Sequence, residues 1–238
     1  MTGQPRSPRR SWADVRAISF DLGGTLVRPE AEPTTGQVAQ LLGISLAEAR
    51  TLMEQKAKRS RISPTDLAGE LSATFHCPDL CGRLTDVLER ARQRAARPDV
   101  YDDVRPTLAT LRKQGLALFA ITNSLGSSIP DQTPVAFQDL TQVLYSAETG
   151  AVKPERAAFA AVEHASGLGP RQLLHVGNSL RADVEGAAAA GFHTAWLNRG
   201  RADIAVPPGT VCLHTLTTLL LLLSAGLVPV LTRISEAH

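Results

Sequence analysis

Several polar residues stand directly after short apolar runs, where a strand would be expected to end. Asp21 follows the apolar run 15–20 and precedes Gly23 and Gly24. A carboxylate in this place can attack an electrophile, and the free N–H groups of the glycines can bind the oxyanion that forms. An aspartate that only caps a turn or a helix fits this stretch equally well, so the stretch alone leaves both readings open.

Two further motifs carry charged side chains. Lys153 precedes Pro154, and a lysine before a proline-initiated helix can neutralise a nucleophilic carboxylate or a bound phosphate. Only four of the 25 basic residues are lysines, which makes a merely solvent-facing role less expected for this one. Asp183, five residues after Asn178, is expected on the first turn of a helix, where it can ligate a metal ion or complement the helix dipole.

The elements that would position these residues alternate along most of the chain. Short apolar strands are predicted at 15–22, 116–121, 143–146, 173–176, 193–197 and 210–213. Helices are predicted at 103–114, 154–166, 180–190 and 216–223. This alternation predicts an α/β fold with a doubly wound parallel sheet, in which the site lies outside the carboxyl ends of the strands. The polar residues named above would converge at that edge.

One long stretch, 28–100, interrupts the alternation. It contains no strand signal, and apolar residues recur at helical spacing over 36–60 and 79–97. Pro64 and Pro78 separate these segments. The stretch is therefore predicted to be an all-helical block inserted into the α/β unit.

Four motifs in this order resemble those of the haloacid dehalogenase (HAD) superfamily: FDLGGT at 20–25, ITN at 121–123, VKP at 152–154 and VGNSLRAD at 176–183. The resemblance extends from about residue 15 to about residue 223, and the helical block stands where that family inserts a C1-type cap. It implies a Rossmann-like core over 13–27 and 101–224 and a helical cap over 28–100. A disordered tail over 1–12 and a C-terminal extension over 225–238 complete the predicted organisation.

The resemblance also implies a role for each matching residue. Asp21 corresponds to the nucleophile that forms a covalent intermediate, Thr122 holds the transferring group, and Lys153 steadies the charge. Gly24 and Asn123 are assigned to substrate binding. A magnesium site is implied at Asp21, the carbonyl of Gly23, Asn178 and Asp183. The expected substrate is a phosphorylated or other anionic small molecule, which the cap selects.

Two positions depart from the phosphatase pattern of that family. Gly23 stands where a second aspartate usually protonates the leaving group, help that is typically worth about 10²–10⁴-fold in rate. Asn178 stands where an aspartate is usual, and its amide can bind a hard cation without adding charge. A weakened magnesium site is therefore expected. A general acid could come instead from the cap, where the candidates are His76, Glu54 and Glu70.

Three functions remain open on these residues. The first is a HAD-like hydrolase that releases a good leaving group or takes its acid from the cap. The second is dehalogenase-like, metal-independent hydrolysis, because halide departs without a proton; against it, the dehalogenases carry a tyrosine where Gly23 stands. The third is a domain that has lost catalysis and binds a ligand or a protein.

Composition limits the classes of binding partner and the cellular compartment that are expected for this protein. The 238 residues are 43% hydrophobic and 20% charged, which are ordinary values for a globular protein. The net charge is +2, and three of the arginines that contribute to it lie within residues 1–12. Aromatic residues make up only 4% of the chain. No nucleic-acid binding is therefore expected. The apolar run 216–231 is shorter than the roughly 20 residues that a membrane helix needs. A cytoplasmic protein is predicted, with its oligomeric state open.

Two apolar stretches carry further expectations. His175 lies inside the fourth predicted strand and is interpreted as a core histidine. The run Leu219–Leu223 is interpreted as the buried side of the last helix, because five consecutive apolar residues leave no polar face there.

Overall fold

A six-stranded parallel sheet lies at the centre of the computed structural model, which describes residues 12–200 and 203–224. The strands are β1 (Ala17–Phe20), β2 (Ala117–Thr122), β3 (Gln142–Tyr145), β4 (Leu173–Gly177), β5 (His193–Leu197) and β6 (Thr210–Leu213). Their order is β3-β2-β1-β4-β5-β6, and every pair is parallel. This is a doubly wound order in which β1 and β4 meet at the switch point. The predicted fold class is confirmed.

Four of the five α-helices between β1 and β2 pack together. They are α1 (Thr34–Leu42), α2 (Leu46–Ala57), α3 (Pro64–Thr74) and α4 (Cys81–Ala96). Ser45 and Glu48 form a capping box at the start of α2, and Ser63 caps α3 ahead of Pro64. Their apolar faces form a separate hydrophobic cluster, with Met53 and Leu84 fully buried in it, and Leu125 from the segment after β2 also belongs to it. We refer to residues 34–96 as the helical block.

The remaining helices cover both faces of the sheet. They are α5 (Val104–Lys113), α6 (Ser146–Thr149), α7 (Arg156–Ser166), α8 (Gly186–Ala189) and α9 (Leu216–Ser224). Side chains alternate between the faces along each strand. Ile18 and Phe20 therefore pack in one cluster with α5 and α9, while Ala17 packs in another with α7 and α8. None of the described helices is long and apolar enough to cross a bilayer.

The helix predicted from Pro154 begins later, at Arg156. Glu155 stands at its N-cap with an extended backbone, φ −56° and ψ 137°, so the segment that carries Lys153 and Pro154 precedes the helix. The lysine is therefore presented by a turn and not by a helical surface.

The helix predicted over 180–190 has an irregular first turn. Residues Leu180–Glu185 are π-helical, and the Val184 N–H donates to the Ser179 carbonyl at 3.2 Å, five residues back. The Ser179 side chain accepts from the Ala182 N–H at 3.1 Å. Wide turns of this kind are frequent at functional sites. Here the turn contains Asp183.

Two differences concern the ends of the chain. Trp12, which the predicted tail included, lies in a 3-10 helix and is 5% exposed, whereas residues 1–11 and 225–238 lie outside the described part. The interpretation of the whole run Leu219–Leu223 as buried is wrong: Leu219 is fully buried, but Leu221 is 66% exposed. Five consecutive helical residues sweep the full circumference, so some of them must face outward.

Candidate active site

An ammonium lies between two carboxylates at the carboxyl edge of the sheet. Lys153 Nζ donates to Asp21 Oδ1 and to Asp183 Oδ1, each at 2.7 Å. The side chains of Lys153 and Asp183 are 2% exposed, and that of Asp21 is 12% exposed. The three side chains come from distant parts of the sequence and meet where β1 and β4 end. Because they are shielded from water, the loss of any one leaves the others poorly compensated.

Burial and the neighbouring charges set the ionisation of this trio. Burial raises the pKa of Asp21 to about 6, with Asp183 adding to the rise and the Lys153 ammonium opposing it. Burial also acts to raise the pKa of Asp183, but Lys153 and His175 hold that pKa well below its usual range. Burial acts to lower the pKa of Lys153, and the two carboxylates outweigh it, so that pKa is raised. Two carboxylates and an ammonium are the result at neutral pH.

The two glycines after Asp21 differ in the space around them. Gly24 has φ +78°, in the left-handed region, and a Cβ there would overlap the side-chain amide of Asn178. Gly23 lies outside that region, and an added Cβ would meet nothing within 4 Å. The turn therefore requires glycine at position 24 and has room for a side chain at position 23. The amide of Asn178 lies directly against this turn.

The end of β2 supplies a hydroxyl pair and an amide clamp. Thr122, 5% exposed, has its Oγ1 3.0 Å from Ser124 Oγ. Asn123 Nδ2 donates to the Lys153 carbonyl and Asn123 Oδ1 accepts from the Lys153 N–H, each at 2.8 Å. The side chain of Asn123, assigned from the sequence to substrate binding, thus holds the main chain that presents Lys153.

His175, interpreted from the sequence as a core histidine, is buried but also belongs to this network. Its Nε2 is 3.3 Å from Asp183 Oδ1, and its Nδ1 is 2.9 Å from Ser19 Oγ. Burial lowers the pKa of His175, against the opposing effect of Asp183. The sequence feature that could have placed His175 near the site is its position in β4, two residues before the end of the strand that leads to Asn178. Side chains at such positions share a face with the strand's last residue.

The residues assigned to magnesium offer only oxygen donors. The Gly23 carbonyl and the Asn178 amide lie at the same turn, next to Asp21. Asp183 accepts from Lys153 through Oδ1 and from the Ser179 N–H, at 2.8 Å, through Oδ2. Among the residues described, no group of three or more His, Cys, Asp or Glu side chains is arranged to hold a metal ion. The set fits Mg²⁺ in donor type, with little negative charge left for it.

The helical block is joined to the rest of the molecule by two adjacent chain segments and by ion pairs. Val27 and Val100, on the two segments, form an antiparallel bridge. The ion pairs are Arg59–Glu155, Arg61–Glu148 and Arg92–Asp131, each with its shortest contact at 2.5 Å. Gly126 packs so closely on the main chain of the block that a Cβ would overlap the Ser60 carbonyl. The block therefore rests on the segment that follows Thr122.

A cavity of about 720 Å³ opens at this junction. Its charged lining residues are Lys56, Arg61, Arg92, Asp66, Glu70 and Asp131. Glu70 was one of the three candidate acids, and here its Oε2 lies 3.6 Å from Lys56 Nζ. The other two candidates, Glu54 and His76, do not line the cavity.

Comparison with known proteins gives consistent matches. A family model described as haloacid dehalogenase-like hydrolase matches residues 15–191. The phosphoserine phosphatase of Thermus thermophilus is 30% identical over 125 residues, 52% of this chain and 49% of that protein. The chain thus spans about half the length of that relative. The phosphoglycolate phosphatase of Aliivibrio fischeri is 27% identical over 202 residues, 79% of this chain and 86% of that protein.

Solved structures show the same fold. A 2-haloacid dehalogenase from Pseudomonas syringae superposes with a TM-score of 0.63 and covers 89% of this chain and 99% of its own. At 22% sequence identity, this likeness concerns the architecture and not the chemistry.

Proposed function

The chain belongs to the haloacid dehalogenase-like hydrolase family, and on that premise we propose that Asp21 is the nucleophile of a phosphatase-type reaction on a small phosphorylated molecule. The observation that carries the proposal is the pair of 2.7 Å contacts that place the Lys153 ammonium between Asp21 and Asp183. A carboxylate at the switch point of a doubly wound sheet, next to a glycine turn, has the position and the charge for attack. The sequence relatives that are phosphatases support the same reaction class.

The proposed reaction has two steps, transfer of the phosphoryl group to Asp21 and hydrolysis of the aspartyl phosphate. A carboxylate oxygen of Asp21 forms a bond to phosphorus as the bond from phosphorus to the leaving oxygen breaks, and the electron pair goes to that oxygen. Water then attacks the phosphorus of the aspartyl phosphate, restoring Asp21 and releasing inorganic phosphate. Lys153 compensates charge in both steps, and the main-chain N–H of Gly23 and the hydroxyl of Thr122 hold the phosphoryl oxygens.

The absence of a side chain at Gly23 bears on the leaving group. A leaving oxygen of low basicity, as in an acyl or aryl phosphate, departs without a proton from the protein. An alkoxide leaving group requires one. We therefore expect acyl phosphates to be better substrates than alkyl phosphates. Residues 28–100 act as the cap in this proposal and select the substrate.

Magnesium would be held by Asp21, the Gly23 carbonyl and Asn178, with Asp183 beside them. When bound, the ion supplies positive charge next to the transferred group. The residues of the chain bring fewer negative charges to it than a full set of aspartates would, so millimolar rather than micromolar concentrations are expected for saturation.

The experiment is hydrolysis of acetyl phosphate and p-nitrophenyl phosphate by the full chain, with magnesium and with EDTA. Asp21→Asn is the test variant, and Asp14→Asn, at an exposed position before β1, is the matched control. We expect turnover of acetyl phosphate that is lost in Asp21→Asn and kept in Asp14→Asn. Absence of turnover with both substrates, or full activity of Asp21→Asn, would contradict the proposal.

The same preparation separates the two alternatives. Halide release from a 2-haloacid in EDTA would favour the dehalogenase-like reaction. A thermal shift with a specific ligand, and no turnover of a broad substrate panel, would favour a binding domain.

A further inference from the structure

A polar chain runs behind the ion trio through the interior of the sheet. Ser19 Oγ lies 2.9 Å from His175 Nδ1, His175 Nε2 lies 3.3 Å from Asp183 Oδ1, and that same oxygen accepts from Lys153 at 2.7 Å. Ser19 is fully buried, and His175 and Asp183 are each 1% exposed. Each side chain in this hydrogen-bonded series is therefore solvated by protein groups and not by bulk water.

The direction of each hydrogen bond follows from the partners. Asp183 as a carboxylate can only accept, so the proton of the imidazole belongs on Nε2. In neutral His175 the Nδ1 atom is then an acceptor and takes the hydroxyl proton of Ser19. Ser19 and His175 are register partners on the neighbouring strands β1 and β4, so the backbone of the sheet fixes their separation.

Asp183 is held from three sides. The Ser179 N–H donates to its Oδ2 at 2.8 Å, and Lys153 and His175 both contact its Oδ1. Its carboxyl group also packs against the end of β4, since a Cβ on Gly177 would overlap it. Of these contacts, only the one with His175 comes from a side chain that takes no part in the proposed chemistry.

We propose that His175 is a positioning residue that fixes the Asp183 carboxylate and, through it, sets the Lys153 ammonium against Asp21. Its effect on turnover rests on the proposed function, whereas its effect on the geometry of Lys153 does not. The imidazole packs edge-on to Phe159, with ring centroids 5.4 Å apart, so it is itself held in one orientation. Groups that orient charged side chains in this way typically contribute about 10–100-fold to activity.

The first test compares two replacements of His175 with a matched control. His175→Leu keeps the volume and removes the donor, and His175→Gln carries an amide N–H that can reach the position of Nε2–H. The control is His193→Leu, which removes another buried histidine, on the adjacent strand β5, whose Nε2 contacts the Arg171 carbonyl. We expect kcat for acetyl phosphate to fall about 10–100-fold in His175→Leu with KM changed less than about 3-fold, and to recover partly in His175→Gln.

The control separates positioning from stability. His193→Leu is expected to lower the melting midpoint without a comparable fall in kcat at a temperature where all variants are folded. The proposal is overturned if His175→Leu keeps its kcat, if His175→Gln recovers nothing, or if His193→Leu loses as much kcat as His175→Leu.

The second test reads Lys153 directly and needs no activity. The ammonium of a buried, hydrogen-bonded lysine exchanges slowly with water, so Lys153 should give a resolved ¹H–¹⁵N signal, assigned by its loss in Lys153→Arg. We expect that signal to broaden or vanish in His175→Leu and to persist in His175→Gln and His193→Leu. An unchanged signal in His175→Leu overturns the positioning role, whereas a changed signal in a protein without turnover contradicts only the proposed function.

Discussion

The molecule contains two groups of ion pairs with nearly equal distances and opposite surroundings. At the sheet edge, Lys153 lies 2.7 Å from each of two carboxylates, and its side chain is 2% exposed. Between the helical block and the core, Arg59 and Glu155 approach to 2.5 Å, and both side chains are 41% exposed. Judged by distance alone, the Arg59–Glu155 pair would be the stronger interaction. Burial reverses the order, because water and salt screen the exposed charges.

The difference suits two separate tasks. The buried trio has one negative charge in excess and little access to solvent, so its members must stay where the fold puts them. The exposed pairs can exchange their partner for water at little cost, so they contribute little to holding the helical block against the core. The buried trio is thus a rigid floor of the candidate site, whereas the exposed pairs hold the helical block only weakly.

The largest expected effect is on stability, at the buried trio. Lys153→Met removes the cation and leaves Asp21 and Asp183 facing each other, so the free energy of unfolding should fall by about 3–5 kcal/mol. Urea denaturation at pH 7 measures it. Lys113→Met, at an exposed position on α5, is the control and should leave the transition midpoint nearly unchanged. Equal midpoints for the two variants would mean that burial does not distinguish these charges.

The next effect concerns the charge that the site lacks. Gly23→Asp enters space with no atom within 4 Å of the new Cβ and places a carboxyl group beside Asp21. If the proposed reaction is limited by protonation of the leaving group, kcat for an alkyl phosphate should rise by about 10²-fold or more. Gly23→Asn has the same shape without a transferable proton and should show no rise. A similar rate for both variants would mean that the site obtains its acid elsewhere.

The neighbouring glycine is the internal reference for that substitution. Gly24→Asp would strain a backbone at φ +78° and press on the Asn178 amide. It should therefore damage the turn where Gly23→Asp leaves it intact, and circular dichroism with thermal melting tells the two apart.

The sequence predicts the sheet and the residues at its edge, because both are local patterns. Apolar runs that end in polar residues indicate strands, and parallel strands bring Asp21, Thr122, Asn178 and Asp183 to one edge. The position of Lys153 follows from motif order. Its contacts with both carboxylates, however, depend on the turn at Glu155 and the wide turn at Asp183, and neither has a clear signal in the local sequence.

Partners that lie far apart in the sequence could not be predicted. From the sequence alone, His175 is one residue of an apolar strand. Only the pairing of β1 with β4 places Ser19 beside it. Arg59 and Glu155 are separated by 96 residues, and nothing local to either one indicates the other. The side chain of Asn123 shows the same limit, since its partner is the main chain of Lys153, which no side-chain pattern records.

A smaller effect is expected for the metal. Asn178→Asp replaces an amide by a carboxylate of the same shape at the turn with Gly24, so it adds charge where magnesium would bind and does not add volume. The magnesium concentration for half-maximal activity should fall about 10-fold. Asn178→Ala, which removes the oxygen, should raise that concentration. If neither variant changes it, Asn178 is not a ligand and the ion is held by other oxygens.

The smallest effect is expected at the exposed interface, where it tests the other half of the comparison. Arg59→Gln removes the contact with Glu155, whose Oε2 also accepts from the Val152 N–H at 3.2 Å. The melting midpoint should fall by no more than about 3 °C at low salt. In 1 M NaCl, where the Debye length is about 3 Å, even that difference should shrink. Arg156→Gln, which breaks the pair of Arg156 with Glu163 inside α7, is the control, because that pair lies within a single helix. A loss in Arg59→Gln as large as that in Lys153→Met, or one that salt does not reduce, would show that the interface is held as rigidly as the floor of the site.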